Sequence, residues 1–221
     1  MIHLEIACFN PESAIIAAKA GADRIELCAG IEVGGTTPNL ETTQKVINQV
    51  AVPIYVMVRP RGGNFVYTDE EFQAMKTSIV EFKKLQVQGF VFGILNEDDT
   101  IDEEQNRLLV ALAHPLPCTF HRAFDRVPNW KIALKQIIAC GFSTVLTSGT
   151  KATVLEGLDE LKAMQAAAGN RITIMPGGGL RSTNVGIIVQ HTNVTFVHSS
   201  AIIDSGTTTC AAEISALKQQ L

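Results

Sequence analysis

The sequence has no basic tract and no stripe of Lys/Arg interleaved with aromatics. Its 18 Lys+Arg stand against 22 Asp+Glu, for a net charge of −4 and a pI near 5.7, so nucleic acid is not an expected partner. No apolar run approaches the roughly 20 residues that a membrane span requires. The start, Met1-Ile2-His3-Leu4-Glu5, has no basic segment, and Glu5 would interrupt an apolar one, so no leader is expected. Cysteine is sparse and scattered, at 8, 28, 118, 140 and 210, with no CxxC spacing. An odd count without ligand spacing argues against a disulfide framework and a structural zinc site. Reduced thiols in a cytoplasmic setting are the expectation, with Cys118 and Cys140 as small buried hydrophobes. Composition shifts and Pro/Ser-rich linkers are missing too, so residues 1–221 are expected to form a single domain. No motif for an organic cofactor stands out.

What the chain does have is 46% hydrophobic and 18% charged residues, the balance of a well-packed globule rather than a disordered chain. The stretch Arg24-Ile25-Glu26-Leu27-Cys28 shows how that material is used. In a strand, alternate side chains share a face, so Arg24, Glu26 and Cys28 point one way and Ile25 and Leu27 the other. An apolar face toward helices and a polar face inward suits a strand lining a closed barrel.

Periodicity places strands at 2–8, 24–28, 53–59, 89–95, 117–121, 143–147, 171–175 and 194–198. Between them lie helices near 11–20, 40–49, 69–85, 102–112, 128–139, 153–167, 181–190 and 208–220. Asn10-Pro11 reads as an N-cap with proline at the first helical position. Thr68 with Glu71, and Thr100 with Glu103, have capping-box spacing. Gly21, Gly89, Gly141 and Gly169 fall where helices should stop. Repeated βα units imply a parallel sheet, and eight of them favour a (β/α)8 TIM-like barrel. A doubly wound sheet would more often carry a glycine-rich phosphate loop after the first strand. Here that strand runs into Cys8-Phe9-Asn10-Pro11.

In such barrels the working residues stand at the C-terminal strand ends, and the unusual residues gather there. Glu5, Glu26, Tyr55, Met57, Arg59 and His121 share a parity that aims them inward. Carboxylates with a histidine are the parts of an acid–base site: Glu26 or Glu5 as base and His121 as acid. Arg59, Arg61 and Arg122 could clamp an anion, with Arg24, Asp125, Thr147 and His198 nearby. The segments Ser148-Gly149 and Gly177-Gly178-Gly179 could offer free amides to an oxyanion. The bland alternative is a buried ion-pair cluster, such as Glu26 with Arg24 or Arg59, filling a barrel layer, with the glycines merely allowing tight turns. Cys28, Met57, Met175, His121 and His198 are soft or borderline ligands that suit Cu(I), although no two have ligand spacing. Cys8 has the wrong parity to join Glu5.

The segments Ala22-Asp23-Arg24-Ile25-Glu26-Leu27-Cys28-Ala29-Gly30, Gly34-Gly35-Thr36-Thr37-Pro38, Val58-Arg59-Pro60-Arg61-Gly62-Gly63, Phe120-His121-Arg122-Ala123-Phe124-Asp125, Leu146-Thr147-Ser148-Gly149 and Ile174-Met175-Pro176-Gly177-Gly178-Gly179 closely resemble the CutC family. That resemblance implies a cytoplasmic TIM-like barrel tied to copper homeostasis, often self-associating into a homo-oligomer such as a dimer. It also implies copper binding through cysteines, with Cys28 and, less directly, Cys8 as the matching thiols. The ending after Ser200 is shorter than that family's tails, so the last unit is expected to be trimmed or packed differently. Two functions follow. One is a copper-homeostasis protein binding Cu(I) at Cys28; the other is a barrel enzyme using acid–base chemistry on a small phosphorylated or carboxylated metabolite. A non-catalytic barrel that senses such a ligand is a third.

Overall fold

Short segments alternating apolar with polar residues become eight strands, and the amphipathic stretches between them become eight helices. A computed structural model describes all 221 residues. The strands are β1 (His3–Cys8), β2 (Arg24–Leu27), β3 (Ile54–Met57), β4 (Gly89–Phe92), β5 (Cys118–Phe120), β6 (Thr144–Thr147), β7 (Thr173–Pro176) and β8 (Phe196–Ser199). The helices are α1 (Pro11–Ala20), α2 (Leu40–Ile47), α3 (Asp69–Lys84), α4 (Glu103–Ala113), α5 (Trp130–Cys140), α6 (Leu158–Ala168), α7 (Val185–Thr192) and α8 (Ala211–Gln219). All strand pairs are parallel, in the order β7-β6-β5-β4-β3-β2-β1-β8. The ring nearly closes where β8 comes beside β7: a Cβ on Gly177 would sit 3.1 Å from Cβ of His198. The last unit has both its strand and its helix, with α8 packed beside α1.

Register shows which side chains face inward, because paired residues in a parallel ladder share a face. Glu5 pairs with Arg24 and with His198, Ala7 with Glu26, Glu26 with Tyr55, Met57 with Val91, and Leu146 with Met175. The alternate set, including Leu4, Ile6, Ile25, Leu27, Val56, Phe90 and Phe92, joins a 49-residue apolar core that includes buried residues of the surrounding helices. The interior holds a small apolar cluster, Cys28, Tyr55, Met57 and Val91, besides the inward Ala7, Leu146 and Met175. Stability by burial therefore resides mainly outside the ring, and the inside is left for polar groups. Tyr55 shows how tightly that inside is filled. Its ring lies across Gly89, where a Cβ would meet ring carbon at 2.5 Å, so Gly89 is a packing position within β4 and not the helix stop its sequence context suggests.

Caps account for most helix boundaries. Asn10 accepts from Ser13 N, Thr68 and Glu71 form a reciprocal capping box, and Gly21 and Gly141 end α1 and α5 in the left-handed region. Some expectations fail locally: α7 starts at Val185, not near 181, and two further differences have a visible cause. Asp102 rather than Thr100 caps α4, since the Thr100 hydroxyl is bonded to Asp98. Helix α6 starts at Leu158, not near 153. Gly157 lies against Ser148, where even a Cβ would fall 1.9 Å from the Ser148 carbonyl oxygen, so the preceding segment follows the neighbouring loop instead of a helical path.

Candidate functional site at the barrel mouth

Strands β1, β2 and β8 bring Glu5, Arg24, Glu26 and His198 together inside the ring. Glu5 is fully buried and accepts from Arg24 Nε and, at 2.8 Å, from His198 Nδ1. Arg24 lies 4.1 Å above the Tyr55 ring and 4.3 Å from that of Phe196, and donates to Met175 Sδ at 3.3 Å. His198 turns its other nitrogen toward Glu26, with Nε2 3.9 Å from Oε2. Cys28 Sγ is 3.5 Å from that same oxygen. One donor atom each from Glu5, Glu26 and His198 falls within 4.8 Å of the others.

These neighbours tune the carboxylates in opposite directions. Burial pushes Glu5 upward, but the Arg24 charge and the His198 hydrogen bond outweigh it and hold Glu5 below the usual carboxylate range. Glu26 has no such guanidinium beside it. Burial, partly offset by the His198 charge and reinforced by Glu5, lifts its pKa to about 7. Burial works against the His198 proton, yet the Glu26 charge and the Glu5 hydrogen bond raise its pKa. Glu5 held low, His198 raised and Glu26 lifted to near neutrality form a graded acid–base set.

Above this floor opens a cavity of about 230 Å³ lined by Ala7, Glu26, Met57, Arg59, His121, Arg122, Gly178, Gly179, Arg181 and Ser199, among others. At about 30 Å³ per water, it has room for roughly eight waters, or one compact metabolite. Several expected anion-binding groups are engaged elsewhere. Arg24 serves the floor. Arg59 holds the loops after β2 and β3 together, donating to the carbonyls of Val33, Gly35 and Gly63, although it still borders the cavity. Arg61 lies outside the cavity lining, paired with Glu71 at 2.6 Å and bonded to Asn64 and Val66. Asp125 already occupies the amide cradle after β6: its carboxylate accepts from Ser148 N, Thr150 N, Thr147 Oγ1 and Ser148 Oγ. The Gly149 amide is likewise committed, to Thr147 Oγ1.

The loop after β7 is different. The Gly177 amide donates to Thr147 O, but those of Gly178 and Gly179 have no internal acceptor. Arg122 crosses directly over Gly178, where a Cβ would fall 2.8 Å from Cζ, and is braced by Asp125 and Ser148. Amides and guanidinium together make the anion-ready corner of the mouth.

His121 is not the acid its type suggests. Burial and then the Arg59 charge push its pKa down to about 3, so it stands neutral. The imidazole whose pKa is raised is instead His198, at the end of the chain opposite to Glu5. Cys28 faces the interior, where burial and Glu26 raise its thiol pKa. Cys8 faces the other side of β1, within the apolar layer under the helices, and burial raises its thiol well above the usual range. The two cysteines thus lie on opposite faces of the sheet.

Comparison with known proteins places this arrangement. The CutC family model matches residues 2–203. The chain belongs to the CutC family. It is similar to the human protein named copper homeostasis protein cutC homolog, 45% identical over 198 residues, covering 90% of this chain and 72% of that protein. The mouse protein of the same name is 46% identical over 198 residues, covering 90% and 73%. A CutC crystal structure from Streptococcus agalactiae superposes with a TM-score of 0.87 at 35% identity, covering 92% of this chain and all of that one. In this CutC chain the cavity also draws on Ser199, at the end of β8 where working residues are expected, and on Arg181, Phe65 and Phe9, which residue type and spacing alone do not single out. Arg181 lies in the loop after β7, two residues beyond the glycine run, and that position is the signal that could have marked it. The loop residue Phe65, 4.8 Å from the His121 ring, carries no such signal.

Proposed function

We propose that this CutC protein performs acid–base chemistry on a small anionic organic molecule bound in the barrel mouth. The observation that carries the reading is His198, set between Glu5 and Glu26, two carboxylates whose surroundings drive their pKa values apart. Glu26 acts as the base, His198 is the proton donor held in orientation by Glu5, and Arg122 with the Gly178 and Gly179 amides receives the anion.

Copper, the metal in the names of the human and mouse relatives, is the second reading. It is supported by the donor atoms of Glu5, Glu26 and His198 lying within 4.8 Å of one another and by Cys28 beside Met57, both against Gly35. The imidazole and carboxylates suit a divalent ion, whereas Cu(I) prefers thiolate and thioether. For Cu(I) the fit is poor: the interior holds one thiol, and burial beside Glu26 keeps it protonated. We therefore treat copper as cargo. A cytoplasmic setting is supported by five unpaired cysteines; no helix is long and apolar enough to cross a membrane. The homo-oligomer implied by the resemblance is retained as part of the proposal.

Thermal-shift screening of phosphorylated and carboxylated metabolites tests the first reading. A hit should stabilise the wild type and weaken in Arg122→Ala; silence across a broad library would overturn it. Competition with a Cu(I) chelator tests the second, where affinity must fall at least tenfold in Cys28→Ala for the copper reading to stand.

A further inference from the structure

Three buried polar atoms in residues lining the mouth have no partner within the chain: Glu26 Oε1, Arg59 Nε and His121 Nε2. Their residues are 3%, 5% and 4% exposed. Buried groups of this kind are nearly always hydrogen-bonded, so three in the wall of one cavity call for partners that the chain itself does not supply, although the unpartnered Tyr67 hydroxyl is a neighbour of Arg59. The polarity of each is fixed. Glu26 Oε1 accepts a hydrogen bond or a proton, and Arg59 Nε–H donates. His121 Nδ1 accepts from Ala123 N at 3.3 Å, which assigns the single proton of the neutral ring to Nε2 and makes that atom a donor too. The anion-ready corner of Arg122, Gly178 and Gly179 lines the same cavity.

A ligand matching this pattern has an anionic end, an oxygen that accepts from two donors, and a hydrogen for Glu26 to take. We infer that the substrate is a compact phosphate ester of an α-hydroxy aldehyde or ketone, and that the protein moves a proton at the carbon next to its carbonyl. This rests on the acid–base reading above and specifies it, with Glu26 kept as the base and His198, which lines the same cavity, kept as the group that passes a proton to and from the substrate oxygens. Glu26 removes the proton as the C–H bond breaks. That electron pair forms the C=C bond of an enediolate, and the carbonyl π pair moves onto oxygen, whose negative charge His121 Nε2–H and Arg59 Nε–H stabilise by hydrogen bonding. Returning the proton to the same carbon restores the substrate with a solvent hydrogen. Returning it to the neighbouring carbon, after a proton passes between the two oxygens, gives the aldose–ketose isomer. No oxidant or reductant is required. A neutral imidazole suits this role, because it donates a hydrogen bond without first losing a proton to the reaction.

The test follows carbon-bound hydrogen in D2O by proton NMR, using the full chain with dihydroxyacetone phosphate, glyceraldehyde 3-phosphate and ribulose 5-phosphate. We expect exchange above the buffer rate for at least one of them. Glu26→Gln and His121→Asn should each slow it by about 100-fold or more while keeping the thermal stabilisation by that phosphate. Glu26→Asp, with a shortened carboxylate, should retain part of the exchange and guards against misfolding of the glutamine variant. Gly178→Ala should lose the thermal stabilisation, since its Cβ collides with Arg122 at a backbone φ of +108°. Stabilisation by these phosphates without exchange overturns the inference and leaves the underlying acid–base reading standing. Stabilisation by carboxylates alone overturns the phosphate assignment. Silence from every anionic ligand brings down both.

Discussion

Replacing Glu26 by glutamine should stabilise the fold at high pH and leave it nearly unchanged at low pH. The carboxyl lies 3% exposed beside Cys28 and the His198 ring, and its pKa is pushed up to about 7 against an ordinary 4.5. Below pH 4.5 Glu26 is protonated whether the chain is folded or not, and glutamine closely imitates that form. As pH rises from 4.5 to 7, the unfolded chain releases the proton while the folded chain keeps it, so wild-type stability falls. Above pH 7 the folded chain carries the whole penalty, about 3 kcal/mol at 1.36 kcal/mol for each pKa unit. Glutamine has nothing to ionise and escapes it. In a chain of this size 1 kcal/mol moves Tm by about 2–4 °C, so the variant should melt about 6–12 °C above wild type at pH 8.5. At pH 4 the two curves should nearly coincide. Calorimetry or far-ultraviolet dichroism at steps from pH 4 to 9 reads the difference directly. A Tm difference that does not change with pH would refute the reasoning, because Glu26 would then titrate like any exposed glutamate. A stabilising substitution at a buried position would also mark Glu26 as retained for chemistry at a cost in stability.

Other substitutions probe the surrounding parts. Arg24→Ala strands the fully buried Glu5 carboxylate and should destabilise the fold by about 3–5 kcal/mol; adding Glu5→Gln should restore part of that loss in urea unfolding, and strict additivity would disprove the pairing. Asp125→Ala removes the shared acceptor of Thr147, Ser148, Thr150 and Arg122. It should cost about 2–3 kcal/mol and speed hydrogen exchange at the Ser148 and Thr150 amides; unchanged protection there would show that the loop stands without it.

Much of this architecture was readable from residue order. Alternation in Arg24-Ile25-Glu26-Leu27-Cys28 assigns faces correctly, because a two-residue period survives whatever the neighbours do, and the same logic puts Glu5, Glu26 and His121 inside. Other features depend on contacts distant in sequence. His198 meets Glu5 across 193 positions, so its place between two carboxylates becomes visible only once the ring closes. The expected arginine clamp was drawn from residue type alone, and type does not reveal that Arg59 and Arg61 already serve loop carbonyls and Glu71. Likewise Ser148-Gly149 has the composition of an anion cradle, but a carboxylate from the preceding strand's loop fills it. The late start of α6 has the same origin: Gly157 yields to a neighbouring loop that its own sequence window does not contain.

The division of labour along each strand has an evolutionary consequence. Odd and even positions answer to different demands, one set wedged under the helices and the other facing the mouth. Above the Glu5–Arg24 floor, exchanging an inward residue alters what the bowl can recognise while the helical jacket keeps its grip. Chemistry on this scaffold can therefore diversify by single steps, each leaving a folded protein for the next to act upon.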